Sequence, residues 1–406
     1  MYDFDTVIDR HGTHSLKYDF SEKYNMPKNL LPFWDSDMDF RVAPAITEAL
    51  QKRVDHGIYG YSETDDSYWD AVHSWYKNYF NWDVQKEWLV KTPGIIPAFH
   101  IAVRALTKPD DAVLIQPPAY YPFSEAITLN GRRIINCPLT RKGSKYIMND
   151  FDDIERTLAE KNVKLAILSS PHNPVGRVWT KEELSEFSRV CRIHGVRIIV
   201  NEIHQDFVYP GISYTPFAHL SEEAVQNAVI CTSPAKSFNL CGLPLANIWI
   251  KNPTLRAAFI RELACTGFKH PNIMSLLAAE AAYRGSRGWL EEVKHYVQEN
   301  VDYTRDFLKN SIPRMQLVEP ESTYLLWLDC RGYFLSDEEL ARIVIEDAGL
   351  WLDQGTLFGP DGSGFLRMNI ACPRATLKEG LTRLAAAFQK VEEKLQKKRA
   401  QKLSNL

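Results

Sequence analysis

The middle of the chain alternates short runs of β-branched and aliphatic residues with longer stretches whose apolar positions recur at helical spacing. That pattern predicts strands joined by crossover helices. The predicted strands are Ala112–Gln116, Lys164–Ser169, Val196–Val200, Ala228–Thr232 and Ala246–Ile250. Several lack polar alternation, as strands buried on both faces of a parallel sheet do. The stretch Lys181–His194 has the helical spacing and starts just after Thr180, a suitable N-cap. From about Ser286 the texture changes: a long helical stretch, Arg287–Lys309, leads to a strand at Thr323–Asp329, a helix at Asp337–Ala348 and a strand at Gly364–Ile370. The mixture predicts an α/β protein with a mostly parallel sheet in a large domain, followed by a smaller α+β domain. The final segment, Val391–Leu403, mixes acids with its bases and predicts a solvated terminal helix rather than a nucleic-acid tail.

Composition narrows the class. With 45% hydrophobic and 24% charged residues, the 406-residue chain has ample core-forming material for a globular protein. At roughly 100–200 residues per domain, this length implies two domains or one domain with an elaborate second lobe. The 48 basic and 51 acidic residues give a net charge of −3, which carries no bias toward nucleic acid or anionic membrane. No apolar run reaches the roughly 18–20 residues of a membrane span. The opening MYDFDTVIDRHG is acidic and lacks an apolar block, which argues against a secretory signal. Seven cysteines stand singly with no CxxC pair, which argues against a metal site and a disulfide framework and for a reducing cytoplasm.

The most informative segment for chemistry is Thr232–Leu243, TSPAKSFNLCGL, which follows a predicted strand and encloses Lys236 among small and polar residues. A lysine in such a loop can form a Schiff base with a carbonyl cofactor. Asn173, in SSPHNPVG, follows a second strand, His204, in NEIH, ends a third, and Tyr120, in PPAYYPF, follows a fourth. Ligands of open α/β sheets bind at strand C-termini, so these groups could converge on one crevice. Taken singly, Asn173 reads first as a turn residue, His204 as a satisfied loop histidine and Tyr120 as core.

Taken together, the motifs IDRHGTHSLKYD, SDMDF, HGIYGYS, SSPHNPVGRVWT, EIHQD, SPAKSFN and RMNIACPR, in this order over nearly the whole chain, resemble one family. It is the fold type I, pyridoxal-phosphate-dependent class I/II aminotransferase superfamily, in its cystathionine β-lyase (C–S lyase) branch. The resemblance implies an N-terminal arm (1–45) belonging to a small domain, a large cofactor-binding domain (46–285) and a C-terminal small domain (286–406). It implies that Lys236 carries the cofactor and moves the substrate Cα proton. Asn173 and His204 would lie by the cofactor's phenolic oxygen, Tyr120 would stack on its ring, and Ser233 with the backbone amides after Gly94, at Ile95 and Ile96, would hold its phosphate. Tyr61 would reach the phosphate of a neighbouring subunit, implying a homodimer with shared active sites. Arg367 would clamp the α-carboxylate of an amino-acid substrate.

One position departs from the family. Where it has aspartate opposite the pyridine nitrogen, this chain has Asn201. An asparagine can hydrogen-bond a neutral pyridine nitrogen but supplies no compensating charge, so the ring would be a weaker electron sink. Glu202 should point to the other side of an extended strand, and Asp206 occupies a position where the family already has an acid. Asn201 would then be either an introduced change or a natural mark of chemistry that needs less carbanion stabilisation. The expected reaction is α,β-elimination of cystathionine or cysteine S-conjugates to pyruvate, ammonia and a thiol. Aminotransfer at the same site and a weakly catalytic regulatory protein of the same fold are the alternatives. Asp35, beside SDMDF, reads either as lining the substrate pocket or as a loop acid in solvent.

Overall fold

The computed structural model describes residues 2–404; residues 1, 405 and 406, the outermost positions of the expected lobes, lie outside them. The chain divides into two compact units, Arg41–Lys294 with Glu321–Thr323, and Met1–Phe40 with His295–Pro320 and Tyr324–Leu406. Residues 41–45 and 286–294 thus group with the larger unit. The first of these lead into a helix, Pro44–His56, packed against the helix Ile273–Gly285, so closely that a Cβ on Gly285 would stand 3.1 Å from the Ala45 Cβ.

The larger unit is built on a seven-stranded sheet. In chain order its strands are β1 (Leu89–Thr92), β2 (Ala112–Ile115), β3 (Arg133–Asn136), β4 (Val163–Ser169), β5 (Arg197–Asn201), β6 (Ala228–Thr232) and β7 (Ala246–Trp249), arranged β1-β7-β6-β5-β4-β2-β3. From β6 through β3 all neighbours are parallel, while β7 is antiparallel to both β6 and β1. Parallel pairing requires crossovers. The helix Lys181–Ile193 supplies one between β4 and β5, and it starts at Thr180 as expected, through a reciprocal capping box with Glu183. Alternate residues such as Val113 and Ile115, Leu165 and Ile167, and Ile199 and Val229 join Phe99 and Ile101 of the helix Ile95–Leu106 in one buried cluster. The other strand faces are buried too, which is why these strands read as unbroken apolar runs.

The smaller unit holds a four-stranded antiparallel sheet of β8 (Gln316–Leu317), β9 (Leu325–Asp329), β10 (Asp353–Gln354) and β11 (Phe365–Asn369), in the order β8-β9-β11-β10. The expected strand at 323–329 starts two residues late, because Thr323 has a positive φ of 69° that no strand tolerates. The expected helix at 337–348 is α-helical only over Asp337–Arg342 and widens into a π turn at Ile343–Asp347. The terminal segment 391–403 is part of one long helix, Arg374–Ser404. Among the described residues, no helix is long and apolar enough to cross a membrane.

Candidate functional site

The register of the large sheet sets one row of strand ends. Ser169 of β4 stands beside Asn201 of β5, which stands beside Cys231 of β6, and Thr232 pairs with Asn247 of β7. Because β7 and β1 are antiparallel, Ala246 pairs with Thr92, so the loop leaving β1 emerges at the same edge. The segments carrying Tyr120, Asn173, Asn201, His204, Ser233, Lys236 and Gly94 all follow or end strands at this edge. Arg367 and Tyr61 stand elsewhere in the chain's architecture: Arg367 on β11 of the smaller unit, and Tyr61 in the segment between the helices Pro44–His56 and Asp66–Phe80.

Local chemistry sets each position. Ser233 caps the short helix Pro234–Ser237: its Oγ accepts the Ala235 N–H at 3.1 Å and donates to the Leu245 carbonyl at 2.7 Å. Lys236 is half-buried on that turn, and its Nζ donates to Cys241 Sγ at 3.4 Å. Asn173 is buried, and its N–H is accepted by Ser169 Oγ at 3.4 Å. Tyr120 packs edge-on against Phe123, 5.7 Å between ring centroids, at the margin of the core. Gly94 adopts φ +109°, a conformation almost confined to glycine, and begins the helix Ile95–Leu106, whose first N–H groups lack intrahelical acceptors. A Cβ there would lie 3.4 Å from that of Pro244.

Asn201 is 3% exposed and its Oδ1 accepts the Ile203 N–H at 3.4 Å. An N–H needs an acceptor, so this contact orients the amide and assigns Nδ2 as its donor end. Glu202 is buried, and its Oε1 accepts the Phe217 N–H at 2.7 Å. Asp206 accepts a hydrogen bond from Ser237. Burial pushes both acids up, Glu202 to about 7 and Asp206 to about 6, against the pull of those donors. His204 is buried, as is His172, which burial drives down to about 3 and so keeps neutral. Gln116 Oε1 and Nε2, Ser170 Oγ and His172 Nδ1 are buried with no hydrogen-bond partner among the described residues. Such atoms are costly unless a ligand or water satisfies them.

In the smaller unit, Arg367 is buried. Its Nη2 donates to the Trp34 carbonyl at 3.1 Å and to Asp353, and its guanidinium lies 4.8 Å from the Phe358 ring centroid. Asp35 is half-buried, and its Oδ1 accepts the Ser36 N–H. The partners of these residues carry no local signature in the sequence. Nor does a charge cluster in the same unit: fully buried Lys17 donates to Asp39 at 2.8 Å, while Arg10 bridges Asp39 at 2.6 Å and Asp37 at 2.5 Å. Lys17 and Arg10 belong to IDRHGTHSLKYD and the acids to SDMDF, so the motifs were visible but their pairing was not. Tyr61 is 99% exposed, beside exposed Ile58 and Tyr59. No cluster of residues able to hold a metal ion occurs among the described residues.

This sheet edge gathers half-buried Lys236, buried polar groups and a glycine-started helix whose first N–H groups suit an anion. The sequence pattern of the family "Aminotransferase class I and II" matches residues 28–384, and the chain belongs to that family. Among its relatives, cystathionine beta-lyase PatB of Bacillus subtilis (strain 168) is 40% identical over 385 residues, covering 95% of this chain and 99% of that one. Protein MalY of Escherichia coli (strain K12) is 34% identical, covering 96% of this chain and all of that one. The crystal structure of cystalysin from Treponema denticola, which contains a pyridoxal 5'-phosphate cofactor, matches with a TM-score of 0.92 at 34% identity, over 96% of this chain and 100% of that one.

Proposed function

We propose that the chain is a pyridoxal 5'-phosphate-dependent C–S lyase that cleaves cystathionine or cysteine S-conjugates to pyruvate, ammonia and a thiol. The observation that carries this reading is the single sheet edge at which Asn173, Asn201, His204, Ser233 and Lys236 follow or end adjacent strands, in a chain 40% identical to a cystathionine β-lyase. The edge suits the cofactor: the helix begun by Gly94 presents N–H groups without intrahelical acceptors, and Gln116 and His172 hold buried polar atoms without hydrogen-bond partners among the described residues. Ser233 and the N–H groups of Ile95 and Ile96 would hold the phosphate. Asn173 and His204 would hold the phenolic oxygen, Tyr120 would cover the ring, and Asn201 would face the pyridine nitrogen. Bound there, the cofactor supplies an electron-withdrawing ring conjugated to the substrate amine.

Lys236 Nζ holds the cofactor between turnovers and accepts the Cα proton of the substrate. The electron pair released by that C–H bond forms the Cα–Cβ double bond as the C–S bond breaks and the thiolate leaves. Water then hydrolyses the remaining three-carbon fragment to pyruvate and ammonia. Arg367 binds the α-carboxylate through its planar fork of donors. The exposed Ile58, Tyr59 and Tyr61 support a homodimer, in which Tyr61 would reach the neighbouring subunit's phosphate. Free thiols at all seven cysteines fit a reducing cytoplasm.

Product analysis tests the reading. Purified holoenzyme given L-cystathionine should yield pyruvate, ammonia and thiol in equal amounts. An accumulating keto acid that retains the sulfur, with aminated cofactor, would overturn it.

A further inference from the structure

The sequence singled out Arg367 but not the residue opposite it. β10 and β11 are antiparallel, and their register sets Asp353 directly across from Arg367, so the two side chains leave the same face of the sheet. Both are at least 95% buried, and Asp353 Oδ2 accepts from Arg367 Nη2. The same nitrogen donates to the Trp34 carbonyl, and the guanidinium plane rests near Phe358. Arg367 is therefore held by a carboxylate, a carbonyl and an aromatic ring, the kind of supporting shell that fixes a binding side chain.

We propose that Asp353 is the positioning residue of the carboxylate site: a counter-ion that orients Arg367 and takes up a proton from solvent when a substrate carboxylate arrives. The inference rests on the reading of Arg367 as the carboxylate clamp. Its physical basis is charge balance. Without ligand, the buried pair is neutral; a second carboxylate on Arg367 would leave a net negative charge in a desolvated place, which is costly. Two carboxylates sharing one cation favour a proton on one of them. The charged groups bearing on Asp353 are Arg367 across the sheet and Asp35 from the N-terminal arm. Burial already raises the Asp353 carboxyl to about 6 against the pull of Arg367, with Asp35 adding to the rise, so neutralisation is within reach at ordinary pH. Asp353 thus competes with substrate while charged and ceases to compete once protonated.

As pH falls from 8.5 to 6, Asp353 gains its proton and the arginine binds a carboxylate more tightly. The substitution Asp353→Asn would keep the acceptor for Nη2 but carry no charge; Asp353→Ala would remove both. The experiment is KM and kcat for L-cystathionine at pH 6 and 8.5 in wild type, Asp353→Asn, Asp353→Ala and Arg367→Gln. In Asp353→Asn, KM should lie about three- to tenfold below wild type at pH 8.5 and approach it at pH 6. In Asp353→Ala, KM should rise about tenfold over wild type at pH 6 and by less at pH 8.5, where charged Asp353 already weakens wild type, with the loss falling on KM rather than kcat. A KM ratio between Asp353→Asn and wild type that does not change with pH overturns the proton uptake. A wild-type KM in Asp353→Ala at pH 6 overturns the positioning. If Arg367→Gln leaves KM unchanged, the clamp reading itself fails; if it raises KM while both Asp353 variants behave as wild type, only the counter-ion does. Should the alanine variant not fold, the isosteric Asp353→Asn still decides the question.

Discussion

At the C-terminal edge of the large sheet, Gln116, Ser170 and His172 keep buried polar atoms without partners among the described residues. In the smaller unit, buried Lys17 and Arg367 and half-buried Arg10 each meet a carboxylate. The one region leaves hydrogen bonds to be made; the other brings charges together and pairs them internally. A ligand-binding edge needs vacant donors and acceptors, while a segment that must hold an N-terminal arm in one place needs pairs that are costly to break. Titration marks the same contrast. Glu202 and Asp206 rise because burial strips water from them by more than their hydrogen bonds compensate. For Lys17, burial alone would lower the ammonium's pKa, but Asp39 and Asp37 outweigh it and hold the charge in place.

Lys17→Met strikes the paired region hardest. It removes the ammonium from a buried cluster and leaves the acids with Arg10 alone, which should cost about 3–5 kcal/mol of unfolding free energy in a urea titration. A loss below about 1 kcal/mol would mean that the cluster is solvated and the contrast is false. Glu202→Gln probes the other region. The native carboxyl keeps its proton to about 7, while the unfolded chain releases it near the ordinary 4.5, so wild-type stability should fall as pH rises through that window. Melting temperatures at pH 5 and pH 8 should converge in the glutamine variant, and an undiminished difference would show that other groups carry the slope. Asn201→Asp is the smallest change and the sharpest test of the sheet edge. Restoring the family's acid should raise cystathionine turnover by about tenfold, equivalent to ~1.4 kcal/mol of barrier. Unchanged turnover would show that the ring does not depend on a charge at 201.

Much of the large unit was legible because its physics is local. Apolar runs of strand length and the Thr180 to Glu183 capping pattern announce themselves within a few residues, and the predicted strand ends differ from the observed ones by a residue or so. The smaller unit was harder. Strands of two residues such as Gln316–Leu317 carry no period, and the π turn at Ile343–Asp347 is a widening of a helix whose side-chain pattern stays helical. The edge strand Leu89–Thr92 was overlooked because its Lys91 breaks the apolar run that marked its neighbours.

From the sequence alone came the class of chemistry, because Lys236 in TSPAKSFN and Asn201 in NEIH are statements about residue identity in a local frame. The missing acid at 201 was visible for the same reason: a substitution can be read wherever the surrounding motif persists. Tertiary structure decided which donor Glu202 meets, which hydrogen bond orients the Asn201 amide, and that Cys241 lies against Lys236. It also decided that Asp353 stands opposite Arg367 and that Lys17 reaches across to Asp39. Those pairings depend on strand register and on segments far apart in the chain, and a buried charge discloses its partner only once the fold has brought the two together.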